Sequence, residues 1–201
     1  MPSPSPPPPA AHLKVESATG LLVGVRQVLS PHFNARPPQM LPELIVVHGI
    51  SLPPGEFGGP WIDRLFTGTL PWAEHAYFRQ IEGLKASAHV VIDRDGRLTQ
   101  YVPFTERAWH AGVSEYRTRT GCNDFSIGIE LEGTETIPYT DAQYASLLAL
   151  MLALLAAYPS LAPQHITGHS DIAPGRKTDP GPSFDWPRLR AALSARLGAQ
   201  P

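Results

Sequence analysis

A chain of 201 residues, 42% apolar and 17% charged, is long enough for one sizeable domain and too short for two comfortable ones. Its formal net charge of −2, with no basic cluster, excludes a nucleic-acid footprint, and no apolar run is long enough to span a bilayer. The single cysteine, Cys122, excludes an intramolecular disulfide and a thiolate-rich metal site, and it fits a reducing compartment.

Residues 1–14 begin Met1-Pro2-Ser3-Pro4-Ser5 and continue into four more prolines, with neither a charged n-region nor an apolar h-region. They read as an extended, disordered, proline-rich tail, not a signal peptide, and a cytoplasmic location is expected. Residues 15–201 form the folded domain. Residues 21–25 and 44–48 are short β-branched runs and predict strands, the second of them buried. Residues 51–59 are a Pro/Gly-rich loop, and residues 71–83 predict a helix that Gly83 ends. Residues 87–92 and 98–103 flank Arg94-Asp95-Gly96-Arg97, a hairpin signal because Asp-Gly tolerates positive φ.

Residues 125–132 alternate, with Phe125, Ile127, Ile129 and Leu131 on one face and Ser126, Gly128, Glu130 and Glu132 on the other. Small residues and carboxylates on a buried strand make sense as the floor of a polar cleft. Thr140-Asp141-Ala142-Gln143 has capping-box form and opens a helix to about Tyr158. A last helix is expected over residues 185–197. Strands interleaved with helices, and one hairpin, predict an α/β fold: a single domain with a mixed central β-sheet flanked by helices.

The most chemical stretch is residues 168–181, which places His169, Asp171, Lys177 and Asp179 in a loop punctuated by Gly and Pro. A neutral imidazole and a carboxylate are zinc ligands, and an ammonium beside them can offset charge on a substrate oxygen. A third ligand must come from elsewhere. Of the eight histidines, His48 ends a buried strand, where α/β sheets commonly place functional groups. His12 falls in the tail, and His32 and His75 read as solvated surface groups. His165 stands at i, i+4 from His169, but Gly168 and the missing glutamate argue against a helical zinc motif. His89, Trp109 and His110 near the hairpin are candidates for lining a pocket. Asp171 reads equally as a partner of His169 or a turn residue. Both Glu130 and Glu132 remain candidates on their strand face.

Several segments together resemble a family. Val46-Val47-His48-Gly49-Ile50-Ser51-Leu52-Pro53-Pro54-Gly55-Glu56-Phe57-Gly58-Gly59, then Ser87-Ala88-His89, the stretch from Arg107 through Trp109-His110-Ala111-Gly112 to Ser114, residues 123–133 and the loop from His169 to Pro182 follow the order of the AmpD-type 1,6-anhydro-N-acetylmuramyl-L-alanine amidases. These are zinc amidases sharing a fold with peptidoglycan recognition proteins, and the resemblance runs from about Gly20 to Trp186. It implies that His48, His169 and Asp179 bind one Zn²⁺ per chain, that Glu130 activates the attacking water and that Lys177 stabilises the oxyanion. It further implies that Lys85, His89, Trp109, His110 and Asp171 contribute to substrate binding.

The substrate so implied is a muropeptide, cut at the lactyl amide between (1,6-anhydro)-N-acetylmuramic acid and L-alanine by a cytoplasmic monomer during peptidoglycan recycling. An indirect influence on β-lactamase induction accompanies that role in some bacteria. The chain departs from the family's commonest residues at Gly49, where Asn is usual, and at Lys85 and Gly121, where Arg is frequent. These departures point to altered peptide recognition, since Lys lacks the bidentate fork of Arg and Gly offers no side chain. A non-cutting binding module of the same fold is the alternative, from which the full ligand set with Glu130 and Lys177 distinguishes this chain.

Overall fold

A computed structural model describes residues 13–199. The expected disordered tail lies outside the described residues apart from Leu13 and Lys14, and both of these join the fold. Leu13 packs against the main core, and the Lys14 carbonyl accepts a hydrogen bond from Val23.

The centre is a six-stranded mixed sheet. Its strands are β1 (Arg26–Gln27), β2 (Leu44–Ile50), β3 (Val90–Ile92), β4 (Leu98–Gln100), β5 (Ser126–Glu132) and β6 (Ile166–Gly168), in the spatial order β6-β2-β5-β3-β4-β1. Strands β6, β2, β5 and β3 run parallel, and β3 and β4 form the expected antiparallel hairpin. At its turn Gly96 has φ +81, while the Asp93 carboxylate, not that of Asp95, accepts the N–H groups of Asp95 and Arg97 at 3.0 and 2.8 Å.

Five helices carry the remaining regular packing: α1 (Trp61–Phe66), α2 (Ala76–Gln80), α3 (Asp141–Ala157), α4 (His169–Ile172) and α5 (Trp186–Gly198). The alternation of β2 and β5 divides the molecule. Ile45, Val47, Ile127, Ile129 and Leu131 face α3 and α5, where Leu147, Leu150, Leu154, Leu189 and Leu193 complete the main core. The opposite face of the sheet is covered by α1, α2 and the loops around residues 100–111. Thr140 and Gln143 form the predicted capping box on α3, each side chain bonded to the other's backbone N–H at 3.1 Å. Asp185 caps α5 through the Arg188 N–H at 2.9 Å.

Three expectations change. The strand over residues 21–25 shrinks to Leu21–Leu22, paired with Val15–Glu16, because Gly24 at φ +73 turns the chain toward β1. The helix over residues 71–83 is two short pieces, a 3₁₀ turn at Trp72–Glu74 and α2. Between them His75 is extended, and its ring accepts the Tyr77 N–H at 3.1 Å, which starts a new helix instead of continuing the old one. His32, expected at the surface, is buried, with its ring stacked on Trp109 at 6.0 Å and its Nδ1 3.3 Å from the Ala86 carbonyl.

Candidate metal centre and active-site cavity

The parallel strands bring the chemistry to one edge. In register, Glu130 of β5 lies beside His48 of β2, and Gly168 at the end of β6 lies beside Val47. His169 follows directly as the first residue of α4, so two histidines and a glutamate meet at the carboxyl ends of three adjacent strands. Asp179 returns from the loop after α4, tethered by the Ser170 N–H to its own carbonyl at 2.9 Å.

His48 Nδ1, His169 Nδ1 and Asp179 Oδ2 form a near-equilateral triangle: 3.0 Å between the nitrogens, and 3.1 and 3.0 Å from each to the carboxylate oxygen. Ligand atoms at about 2.0–2.1 Å from a tetrahedral ion stand roughly 3.3 Å apart, so the triangle matches one face of such a site. This is the one metal-competent group found among the described residues, and its two imidazoles and one carboxylate suit a borderline cation such as zinc. Burial holds the His48 imidazole down at about 4, so it is a neutral ligand at pH 7. Burial pulls the Asp179 carboxyl upward, but its close contacts with the two histidine rings outweigh it and hold the group well below the usual carboxylate range.

A cavity of about 680 Å³ opens in front of the triangle, lined by these ligands together with Glu130, Lys177, Trp109, His110, Tyr77 and Tyr139. Glu130 presents a buried Oε2 that has no partner among the described residues. Burial, reinforced by the Asp179 charge and only partly opposed by Lys177, pushes its carboxyl well above the ordinary value. Glu132 differs: Oε1 accepts the Gly58 N–H and Oε2 the Arg94 N–H, so it ties two loops to the sheet and has no free acceptor aimed at the cavity. The two carboxylates on one strand face thus differ in their partners.

The structure sorts the other predicted residues. Lys177 is exposed and lines the cavity. Trp109 lines it with its indole N–H donated to Asn34 Oδ1 at 2.7 Å. His110 also lines it, with Nδ1 2.9 Å from His48 Nε2. His89 does not: it is fully buried, its Nδ1 accepts the Gly128 N–H at 3.0 Å, and it serves the core. Asp171 accepts Thr167 Oγ1 and the Gly168 N–H at 2.7 and 2.9 Å, which makes it the turn residue that shapes the entry to α4, outside the cavity wall. Lys85 is exposed between Leu84 and Ala86, which line the cavity while it does not. His165 pairs with the Tyr116 hydroxyl at 3.0 Å and stands apart from the ligands, as its sequence context implied.

Sequence reasoning missed Tyr77 and Tyr139. Tyr139 donates to the Pro180 carbonyl at 3.0 Å, next to Asp179. A Cβ at Gly49 would overlap the Tyr139 hydroxyl, so the glycine beside His48 leaves the space that this tyrosine fills. Of the three departures, Gly49 lines the cavity and Lys85 and Gly121 do not.

A mixed α/β sheet with a His/His/Asp triangle that could hold a metal ion, and a carboxylate with a free buried oxygen beside it, is the arrangement found in metal-dependent hydrolases. The chain belongs to the N-acetylmuramoyl-L-alanine amidase family, whose model matches residues 37–182. It is 62% identical over 175 residues to the 1,6-anhydro-N-acetylmuramyl-L-alanine amidase AmpD of Escherichia coli K12, covering 87% of this chain and 95% of that one. A crystal structure of a selenomethionine AmpD derivative superposes with a TM-score of 0.85 at 61% identity, covering 87% and 97% of the two chains. The amidase AmiD of E. coli, solved with the substrate anhydro-N-acetylmuramic acid-L-Ala-D-gamma-Glu-L-Lys, matches at a TM-score of 0.54 and 30% identity over 75% of this chain and 57% of that one.

Proposed function

We propose that this chain is a zinc-dependent amidase that hydrolyses the lactyl amide between 1,6-anhydro-N-acetylmuramic acid and L-alanine in muropeptides, acting as a cytoplasmic monomer in peptidoglycan recycling. The observation that carries the reading is the unpartnered Glu130 carboxylate in the same cavity as the His48–His169–Asp179 triangle. The 62% identity to a relative named for that reaction supports the substrate, as does the anhydro-muropeptide bound by AmiD. Among the described residues no helix is long and apolar enough to cross a membrane.

His48, His169 and Asp179 would hold the zinc, which when bound supplies Lewis acidity toward the amide carbonyl and lowers the pKa of water. Glu130 does the proton work. Its raised pKa brings it nearer to neutrality, where a carboxylate can take a proton from the attacking water and return it to the departing alanine nitrogen. Burial with no competing donor keeps its oxygen available for that transfer. Lys177, an exposed loop residue lining the cavity, offers its ammonium to the oxygen that becomes negative. Apolar Leu65, Phe66 and the ring of Tyr77 line the same cavity as a surface for the sugar and peptide carbon skeleton.

Mass-spectrometric product analysis with matched anhydro- and reducing-end muropeptides tests reaction and selectivity together. Release of the intact stem peptide from the anhydro form is expected, and binding without released peptide would overturn the reading. Glu130→Gln should cut kcat by at least about 10²-fold while zinc remains stoichiometric. Full activity in that variant would remove Glu130 from its role.

A further inference from the structure

His48 and His169 both aim Nδ1 at Asp179, which leaves each ring one other nitrogen to place. A neutral imidazole that coordinates through Nδ1 carries its proton on Nε2, and that N–H needs an acceptor. For His169 the acceptor is the Ala111 carbonyl, 3.2 Å from Nε2. For His48 it is the ring of the preceding residue: His110 Nδ1 lies 2.9 Å from His48 Nε2, with the two rings edge to face. His110 can accept there only with its own proton on Nε2, and Nε2 stands 3.1 Å from Ser126 Oγ. With His48 Nδ1 given to a metal, one arrangement of protons satisfies the rest of the chain, from His48 Nε2–H to His110 Nδ1 and from His110 Nε2–H to Ser126 Oγ; the reverse arrangement would put the His48 proton on Nδ1, toward Asp179.

The fold makes room for this arrangement and pins it. A Cβ at Gly128 would overlap the His110 ring and sit within 2.6 Å of its Nδ1 and Cδ2. That accounts for a glycine in the middle of the central strand, where it would otherwise only weaken pairing. Both the His110 and the Ala111 N–H groups donate to Asn123 Oδ1, at 3.1 and 2.8 Å. The small-residue face of β5 is therefore the seat of an imidazole. With both ring nitrogens committed, His110 has none left for substrate.

We propose that His110 is a positioning residue that holds His48 in its metal-binding tautomer, and that Asn123 locks residues 110–111 so that one dipeptide orients both histidine ligands. This rests on the zinc site read above at His48, His169 and Asp179. The test is zinc affinity by chelator competition, with the melting temperature of the metal-free protein and the ¹⁵N signals of His48 recorded in parallel. His110→Ala should weaken zinc binding about 10–100-fold. His110→Asn, whose Oδ1 stands in for Nδ1 as acceptor, should recover most of that loss, which a merely space-filling role would not predict. Ser126→Ala and Asn123→Ala retain the His110 side chain while removing one of its supports, and should weaken zinc in the same direction by a smaller factor. They carry the comparison if His110→Ala does not fold. In the zinc-bound wild type the His48 proton should reside on Nε2, and its ¹⁵N–H signal should report a hydrogen bond that is lost in His110→Ala and retained in His110→Asn. Wild-type zinc affinity in all these variants, or equal loss in His110→Ala and His110→Asn, would overturn the positioning role alone. A wild-type protein that takes up no stoichiometric zinc would overturn the metal site itself, and the inference with it.

Discussion

Glu130 and Glu132 are the same residue type on the same strand face, and their surroundings give them opposite work. Glu132 is hydrogen-bonded by two backbone N–H donors, whereas Glu130 is half-buried beside Asp179 with its buried Oε2 left free. Glu132→Gln should therefore act on stability. It puts an amide N–H₂ against donors that need an acceptor, at a cost of about 1–3 kcal/mol in urea unfolding, with far less effect on kcat than Glu130→Gln. Lys177 shows the reverse case. It is exposed, so Lys177→Ala should leave the melting temperature unchanged and lower kcat about 10²–10³-fold, the range for loss of one oxyanion donor. A loss seen only in KM would assign it to substrate binding instead. His110 and Asp171 carry a related lesson: both were expected to contribute to substrate binding, and each spends its hydrogen bonds on another ring or on the backbone.

Among the elements, β2, β5 and β6 do the positioning. Their parallel register sets His48, Glu130 and the start of α4 at one height, and strands buried on both faces hold that height firmly. Of these, β2 was legible as a β-branched run bounded by turn residues and β5 by its alternation, whereas β6, only three residues long, was not expected. The break between the 3₁₀ turn and α2 was not legible. It depends on His75 offering its ring to Tyr77, a choice that composition does not reveal. Helix α3 is anchored by its capping box on the far side of the sheet from the cavity. Thr140→Ala should remove about 1 kcal/mol of stability in chemical denaturation and leave kcat at the wild-type value. A fall in kcat would mean that α3 communicates with the site.

Considered whole, the molecule buries several ionisable groups of opposite sign. Burial lowers His48 to about 4 and His89 to about 3, so the unfolded chain takes up these protons first as pH falls below about 6.5. Their contribution to stability is complete above that pH and is lost progressively toward about 3. Glu130 runs the other way: its raised pKa means that the folded chain holds the proton more tightly, so its burial penalty is felt at neutral pH and relieved in acid. The metal-free protein should show a falling melting temperature between pH 7 and pH 4. Glu130→Gln should melt higher at pH 7 and lose its advantage toward pH 4, giving a steeper fall. Parallel curves for the two proteins would contradict the burial of a charged Glu130.

By itself the sequence determined the α/β class, the strands that carry His48 and Glu130, and the capped helix, and through its resemblance it implied a ligand set and a chemistry. The first three are written in local pattern: period-two alternation, turn residues and unusual polar residues at strand ends. The tertiary structure alone gave Glu132 its two N–H partners and left Glu130 a free oxygen, placed His89 in the core and Asp171 in a turn, and filled the space beside Gly49 with Tyr139. It also explained Gly128, whose missing side chain is occupied by a ring eighteen residues earlier in the chain. The physical reason is common to all of these. Which donor meets which acceptor, and which volume is already taken, depends on groups distant in sequence that come together only once the sheet has formed.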